Sequence, residues 1–249
     1  PVSDDCCPVR WANMIPRKPQ TTRKKTTRKE IKQDKLVTSY FEVKNWVDKE
    51  ENKRKVFIGV GIVVILVIAT FFYINHRKKV NEEAEIKLTA AMTLYDQGRY
   101  QEAIDGDSSH TITGFKEIVN DYGGSENGQT ARFYLADCQY NLKDYDDALK
   151  NFEDYSGGKD ILTASAFAGI ASIYESKNDL KKAADYYEKA SKVNKDLSFN
   201  QEFIFYALRC YSKSGDKEDA KRLFSTLKKD YPKSKYVGDV KRFESEFND

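Results

Sequence analysis

The chain has 249 residues, one third of them charged, with a formal net charge of +3. Its two histidines are too few for a His-based metal site, and it contains no Gly-rich phosphate loop or nucleophile elbow, so no enzyme, cofactor or metal is expected. Charge is unevenly spread: residues 1–55 hold 15 Lys/Arg against 8 Asp/Glu, whereas residues 80–249 hold 24 against 31.

In chain order, residues 1–13 precede the first methionine, Met14, and read as upstream translation or a fragment edge. Cys6 and Cys7 are adjacent, with no second pair and no histidine nearby, and form no metal motif. Residues 1–35 read as a basic tail. From Thr21 to Lys35 almost nothing is apolar, which predicts a disordered, solvated run; an electrostatic hold on anionic lipid or ribosomal RNA is the second reading. Over 36–55 the pattern changes. Leu36, Tyr40, Val43 and Val47 recur at helical spacing beside Phe41 and Trp46, predicting an amphipathic helix with Trp46 near a membrane interface.

Residues 56–74, VFIGVGIVVILVIATFFYI, are nineteen in a row without a charge. At 1.5 Å per residue such a helix covers roughly 28 Å, close to a bilayer's hydrocarbon core. A buried core helix is disfavoured because nothing else in the chain is apolar enough to surround it. A cleaved signal peptide is disfavoured because Phe71, Phe72 and Tyr73 are followed by His76, Arg77, Lys78 and Lys79 rather than a small-residue cleavage site. The more basic flank tends to stay in the cytoplasm, which predicts a cytoplasmic N-terminus and an extracytoplasmic domain over 80–249. Gly59 and Gly61 lie two apart, so the GxxxG pairing motif is absent.

Beyond residue 80 the chain repeats itself. LADCQYNLKDYDDALKNF from Leu135, IASIYESKNDLKKAADYY from Ile170 and ALRCYSKSGDKEDAKRLF from Ala207 superpose without gaps, with Ala148, Ala183 and Ala220 in register and Phe152, Tyr187 and Phe224 four residues later. The intervals fit a two-helix unit of about 34 residues. An earlier copy, AAMTLYDQGRYQEA, places Ala91 and Ala103 in the same roles, with Phe115 as its aromatic after an insertion around DGDSSHTITG.

These four registers resemble the tetratricopeptide repeat family. The resemblance implies an all-α fold: one N-terminal membrane helix, then an α-solenoid of about four repeats in which Ala91 meets Ala103, Ala136 meets Ala148 and Ala171 meets Ala183. Leu208 departs from the small residue expected opposite Ala220. Residues 234–247 are expected to form a polar capping helix. Cys138 and Cys210, a whole repeat apart, are expected to be buried apolar residues rather than a disulfide.

In this family the concave groove is lined by the first helix of each pair. Carried over position by position, the groove residues are Leu88, Met92, Tyr95, Phe133, Asp137, Tyr140, Ser172, Glu175, Phe205 and Arg209. Such a surface suits an extended or helical peptide with aromatic anchors, although Phe133 and Phe205 can equally be inter-repeat packing. The carboxylate-clamp variant needs basic and amide residues where this chain has Leu88 and Met92.

A basic N-terminus, one membrane helix and a few repeats together resemble the YfgM-type ancillary factors of bacterial inner membranes. That resemblance implies a periplasmic scaffold binding exported polypeptides, secretion-channel subunits and periplasmic chaperones, with no small-molecule substrate and no specific nucleic acid. A scaffold for cell-wall or outer-membrane assembly and a cytosol-facing adaptor stay open.

Overall fold

The computed structural model describes residues 28–158 and 161–248. The chain divides into two compact units, Pro1–Ile68 and Ala69–Asp249.

In the first unit, α1 (Arg28–Val47) begins eight residues before Leu36, within the segment expected to be disordered. Arg28–Lys35 contains no Gly or Pro and is mostly Lys, Arg, Glu and Gln, all good helix formers, so local propensity outweighs the lack of apolar side chains. The rest of the expected tail lies outside the described residues. Leu36, Tyr40 and Val43 are exposed along one face. Near the end of α1 the Asn52 amide donates to the Trp46 carbonyl at 2.8 Å, satisfying an acceptor the helix leaves open.

Helix α2 (Glu50–Asp96) follows, with Glu50 and Glu51 complementing the positive end of its dipole. Its 47 residues span roughly 70 Å at 1.5 Å each. Among the described residues it is the one helix long and apolar enough to cross a membrane, and none of its most apolar stretch is buried. Phe57, Ile65 and Phe72 are each more than 60% exposed, far more apolar surface than a water-soluble helix carries.

The second unit is built of helix pairs. The C-terminal turns of α2 bury Ala84, Leu88, Ala91 and Leu94, a helical stripe, and form the first helix of repeat one. Its second helix is split into α3 (Tyr100–Asp105) and α4 (Phe115–Tyr122). Between them residues 106–114 fold into a closed loop. Asp107 accepts from the Ile112 N–H at 2.6 Å and from the Ser109 hydroxyl. Gly106 sits at φ 93°, and a Cβ there would lie 2.7 Å from the Ile112 carbonyl oxygen, so the pinch requires glycine. The insertion therefore leaves the helix and returns at the same place, and Phe115 lands fully buried in its expected role.

Repeat two is α5 (Glu126–Asn141) and α6 (Tyr145–Glu153), repeat three α7 (Ile161–Ser176) and α8 (Leu180–Lys192), and repeat four α9 (Asn200–Ser214) and α10 (Lys217–Asp230). Ser125 caps α5 by accepting from the Gly128 N–H at 3.0 Å. Each alanine pair shares one core cluster, and Ala91, Ala103, Ala136, Ala148, Ala171 and Ala183 are all fully buried. Leu208 and Ala220 are fully buried as well. Gly169 extends the small-residue logic across repeats: a Cβ there would meet the Phe152 ring at 2.7 Å.

The C-terminal cap departs from expectation. In place of one polar helix there are two short ones, α11 (Lys235–Val240) and α12 (Ser245–Asn248). Val240 and Phe247 are fully buried, and Phe247 packs edge-on against Phe224 with centroids 6.0 Å apart. The last repeat exposes an apolar face that only apolar side chains can cover, so the cap is polar on its outer side alone.

Candidate protein-binding surface

The expected groove positions fall on the first helices of the repeats, and the structure sorts them into three groups. Leu88 and Phe133 are buried, 8% and 9% exposed. Leu88 belongs to the core of repeat one; Phe133 lies edge-on to Phe152 at 5.7 Å and Tyr155 at 6.0 Å. Both side chains are taken up by packing within the repeats. Phe205 stacks on Tyr236 of the cap, centroids 4.8 Å apart, and is held by packing too.

The second group bonds to itself. The Tyr95 hydroxyl donates to Asp137 Oδ2 at 2.7 Å, joining repeats one and two. Arg209 Nη2 donates to Glu175 Oε1 at 2.7 Å, joining repeats three and four. In repeat register Tyr95 and Glu175 are the same position, and so are Asp137 and Arg209; the two bonds are one device used twice with different chemistry. Burial, then the bond to Asp137, drives the Tyr95 phenol far above its ordinary value, so it stays a neutral donor. Glu175 also receives the Tyr187 hydroxyl at 3.3 Å, and Tyr187 lies 2.9 Å from Ser172. Four of the expected contact residues thus hold neighbouring repeats in register.

The third group packs against the core but keeps part of its surface exposed. Met92 and Tyr140 are half-buried, and Tyr140 lies against the Tyr145 ring at 5.7 Å. Between repeats two and three, Tyr140 and Ser172 occupy the positions that bond elsewhere, and the Ser172 hydroxyl instead meets Tyr187 within its own repeat.

A second surface, which the sequence did not single out, lies along the second helices. A cleft of about 820 Å³ runs between the split second helix of repeat one and helices α5 and α6. Asp105, Asp144, Asp147 and Asp154 line it against Lys116, Lys150 and Arg132. Arg132 Nε is buried there without a hydrogen-bond partner, and its Nη1 stands 3.7 Å from Asp154 Oδ2. The signal was present as the acidic turn around Asp144 and the insertion that interrupts the helix, but only the fold brings the two together.

Further along the same face, Glu188 is 7% exposed and receives both arms of Arg222, at 3.0 and 2.8 Å. Burial pushes its carboxyl up, but the bonds from Arg222 and Lys192 more than offset that and hold it below the ordinary carboxylate value. Cys138 and Cys210 are free and buried in different clusters. Burial pushes their thiols to about 12 and about 11, which leaves no reactive thiolate near neutral pH.

Among the described residues no group of three or more His, Cys, Asp or Glu is arranged to hold a metal ion. No curated protein matches the chain. Three stretches match tetratricopeptide repeat models, residues 130–156, 164–197 and 207–234, which are repeats two, three and four. The domain therefore carries tetratricopeptide repeats, a scaffold for protein–protein interaction, behind one long apolar helix.

Proposed function

We propose that this chain is a membrane-anchored protein-binding scaffold of the bacterial cell envelope, accessory to secretion or to the folding of newly exported proteins. The observation that carries the reading is the exposed nineteen-residue apolar run, continuous in one helix with the first repeat. A run so exposed needs lipid around it. Residues 1–55 are net positive and residues 80–249 net negative, which favours a cytoplasmic N-terminus and an extracytoplasmic repeat domain. Exported polypeptide would lie along the first helices, with Met92 and Tyr140 as its accessible contacts and Tyr95, Asp137, Glu175 and Arg209 keeping those helices aligned.

Purification of the full chain in mild detergent tests the partner class. Secretion-channel subunits and periplasmic chaperones should accompany it; recovery of cell-wall synthases instead would favour a scaffold for wall assembly. Replacing Met92 and Tyr140 with Ala should weaken capture of an unfolded model substrate by about 2 kcal/mol in total while leaving helicity unchanged. Undiminished capture would remove this face from the account.

A further inference from the structure

We propose that the end of α4 and the turn after it, Tyr122–Ser125, seat in the phospholipid headgroup layer beside the end of the apolar helix. This seating holds the repeat domain against the bilayer surface rather than on a free stalk.

Two polar clamps fix the turn to α2 just past the apolar run. Arg77 Nη2 donates to the Gly124 carbonyl at 3.0 Å. One helical turn later Asn127, at the start of α5, donates twice to Asn81: its N–H to Oδ1 at 2.9 Å and its side-chain amide to the carbonyl at 3.0 Å. Arg77 and Asn81 are four residues apart and share a face, so the two contacts set both the position and the direction of the turn. Lys87 adds a cation–π contact to Tyr122, 5.3 Å from its ring centroid.

Height follows from helix geometry. Ile74 ends the apolar run, and Arg77 lies three residues on, roughly 4–5 Å along the axis. The polar layer on each side of the hydrocarbon core is roughly 5–7 Å deep. Helical side chains lean toward the helix N-terminus, which here is the bilayer side, so the Arg77 guanidinium and the Gly124 carbonyl stand no higher than that layer. Between helix and turn a cleft of about 310 Å³ is lined by Tyr73, His76, Arg77, Val80, Tyr122 and Gly124. Tyrosines at the rim with cationic groups beside them suit a phospholipid headgroup, and Lys78 and Lys79 add attraction to anionic lipid. Asp121, which lines the same cleft, and Glu126 oppose it, two carboxylates against Arg77, Lys78 and Lys79.

The inference rests on the spanning reading of residues 56–74, so its test separates the two. In full-length protein with Trp11→Phe and Trp46→Phe, single tryptophans are placed by Leu66→Trp, Gly124→Trp or Gly238→Trp. A side chain at Gly124 or at Gly238 meets no atom within 4 Å of its Cβ. Each protein is reconstituted in phosphatidylcholine–phosphatidylglycerol vesicles whose acyl chains are brominated near the headgroup or near the bilayer centre. Leu66→Trp should be quenched from the centre. Gly124→Trp should lose roughly twofold of its emission to shallow bromines, as expected of an interfacial indole, with Gly238→Trp unaffected. Adding Arg77→Ala and Asn81→Ala should return Gly124→Trp to the Gly238→Trp level without changing Leu66→Trp. Quenching at Leu66→Trp but none at Gly124→Trp would overturn the seating and leave the anchor intact. No quenching at Leu66→Trp would overturn both.

Discussion

Glu188 shows how a single charge can hold two repeats together. Its carboxylate, on α8, is buried between the Arg222 fork from α10 and Lys192, and Tyr211 from α9 approaches it at 3.4 Å. Removing the Glu188 charge takes its buried partner from Arg222, but Arg222 is half-exposed and keeps Asp219, so Glu188→Gln should cost about 2 kcal/mol at pH 7, less than the roughly 3–5 kcal/mol of a fully buried pair. The folded carboxyl lies below its unfolded value of roughly 4.3, so its stabilisation is complete above that pH and fades as pH falls through the folded value. Urea melts should therefore show the wild type losing its advantage over Glu188→Gln progressively as pH falls below roughly 4.3; a gap independent of pH would show the charge is not what matters. The alanine crossings make the complementary prediction for size. Ala148 and Ala183 are fully buried at helix crossings, so Leu at either should overpack the site and cost about 1–3 kcal/mol in thermal melts.

At the scale of elements, the helix pairs and their alanines were legible because a repeated register fixes which side faces inward, whatever the details of the partner. The insertion was legible as an interruption, but not as a loop closed by Asp107 and Gly106, since that closure depends on contacts within the loop. Groove positions were the least legible. A helical wheel places Leu88 and Phe133 on the first-helix face, but whether that face stays open depends on how closely the next helix packs, and Phe152 and Tyr155 close over Phe133. The bridges of Tyr95 to Asp137 and Glu175 to Arg209 likewise depend on the offset between repeats, which spacing along the chain does not set. The cap was read as polar because SKYVGDVKRFESEF is mostly polar; its few apolar residues do the covering. Phe247→Ala should accordingly cost about 3 kcal/mol. Hydrogen exchange should rise first in α9 and α10 while α5 and α6 keep their protection, because repeat arrays lose stability by neighbours. Uniform loss along the array would contradict nearest-neighbour stabilisation.

For the whole molecule, an exposed apolar helix, a basic segment before it and an acidic repeat domain after it form one consistent account. In the proposed role lipid would cover the helix, the charge asymmetry would orient it, and the tetratricopeptide repeats would present protein-binding faces on one side of the membrane. The partners' identity is carried by surface chemistry rather than by any motif, which is why fold was far easier to read than function. Orientation is the claim on which the proposed role depends most. Alkaline phosphatase and β-galactosidase fused in parallel after Asp249 measure it most directly: the account predicts an active phosphatase and an inactive galactosidase, and the reverse pattern would place the repeats in the cytosol and contradict it.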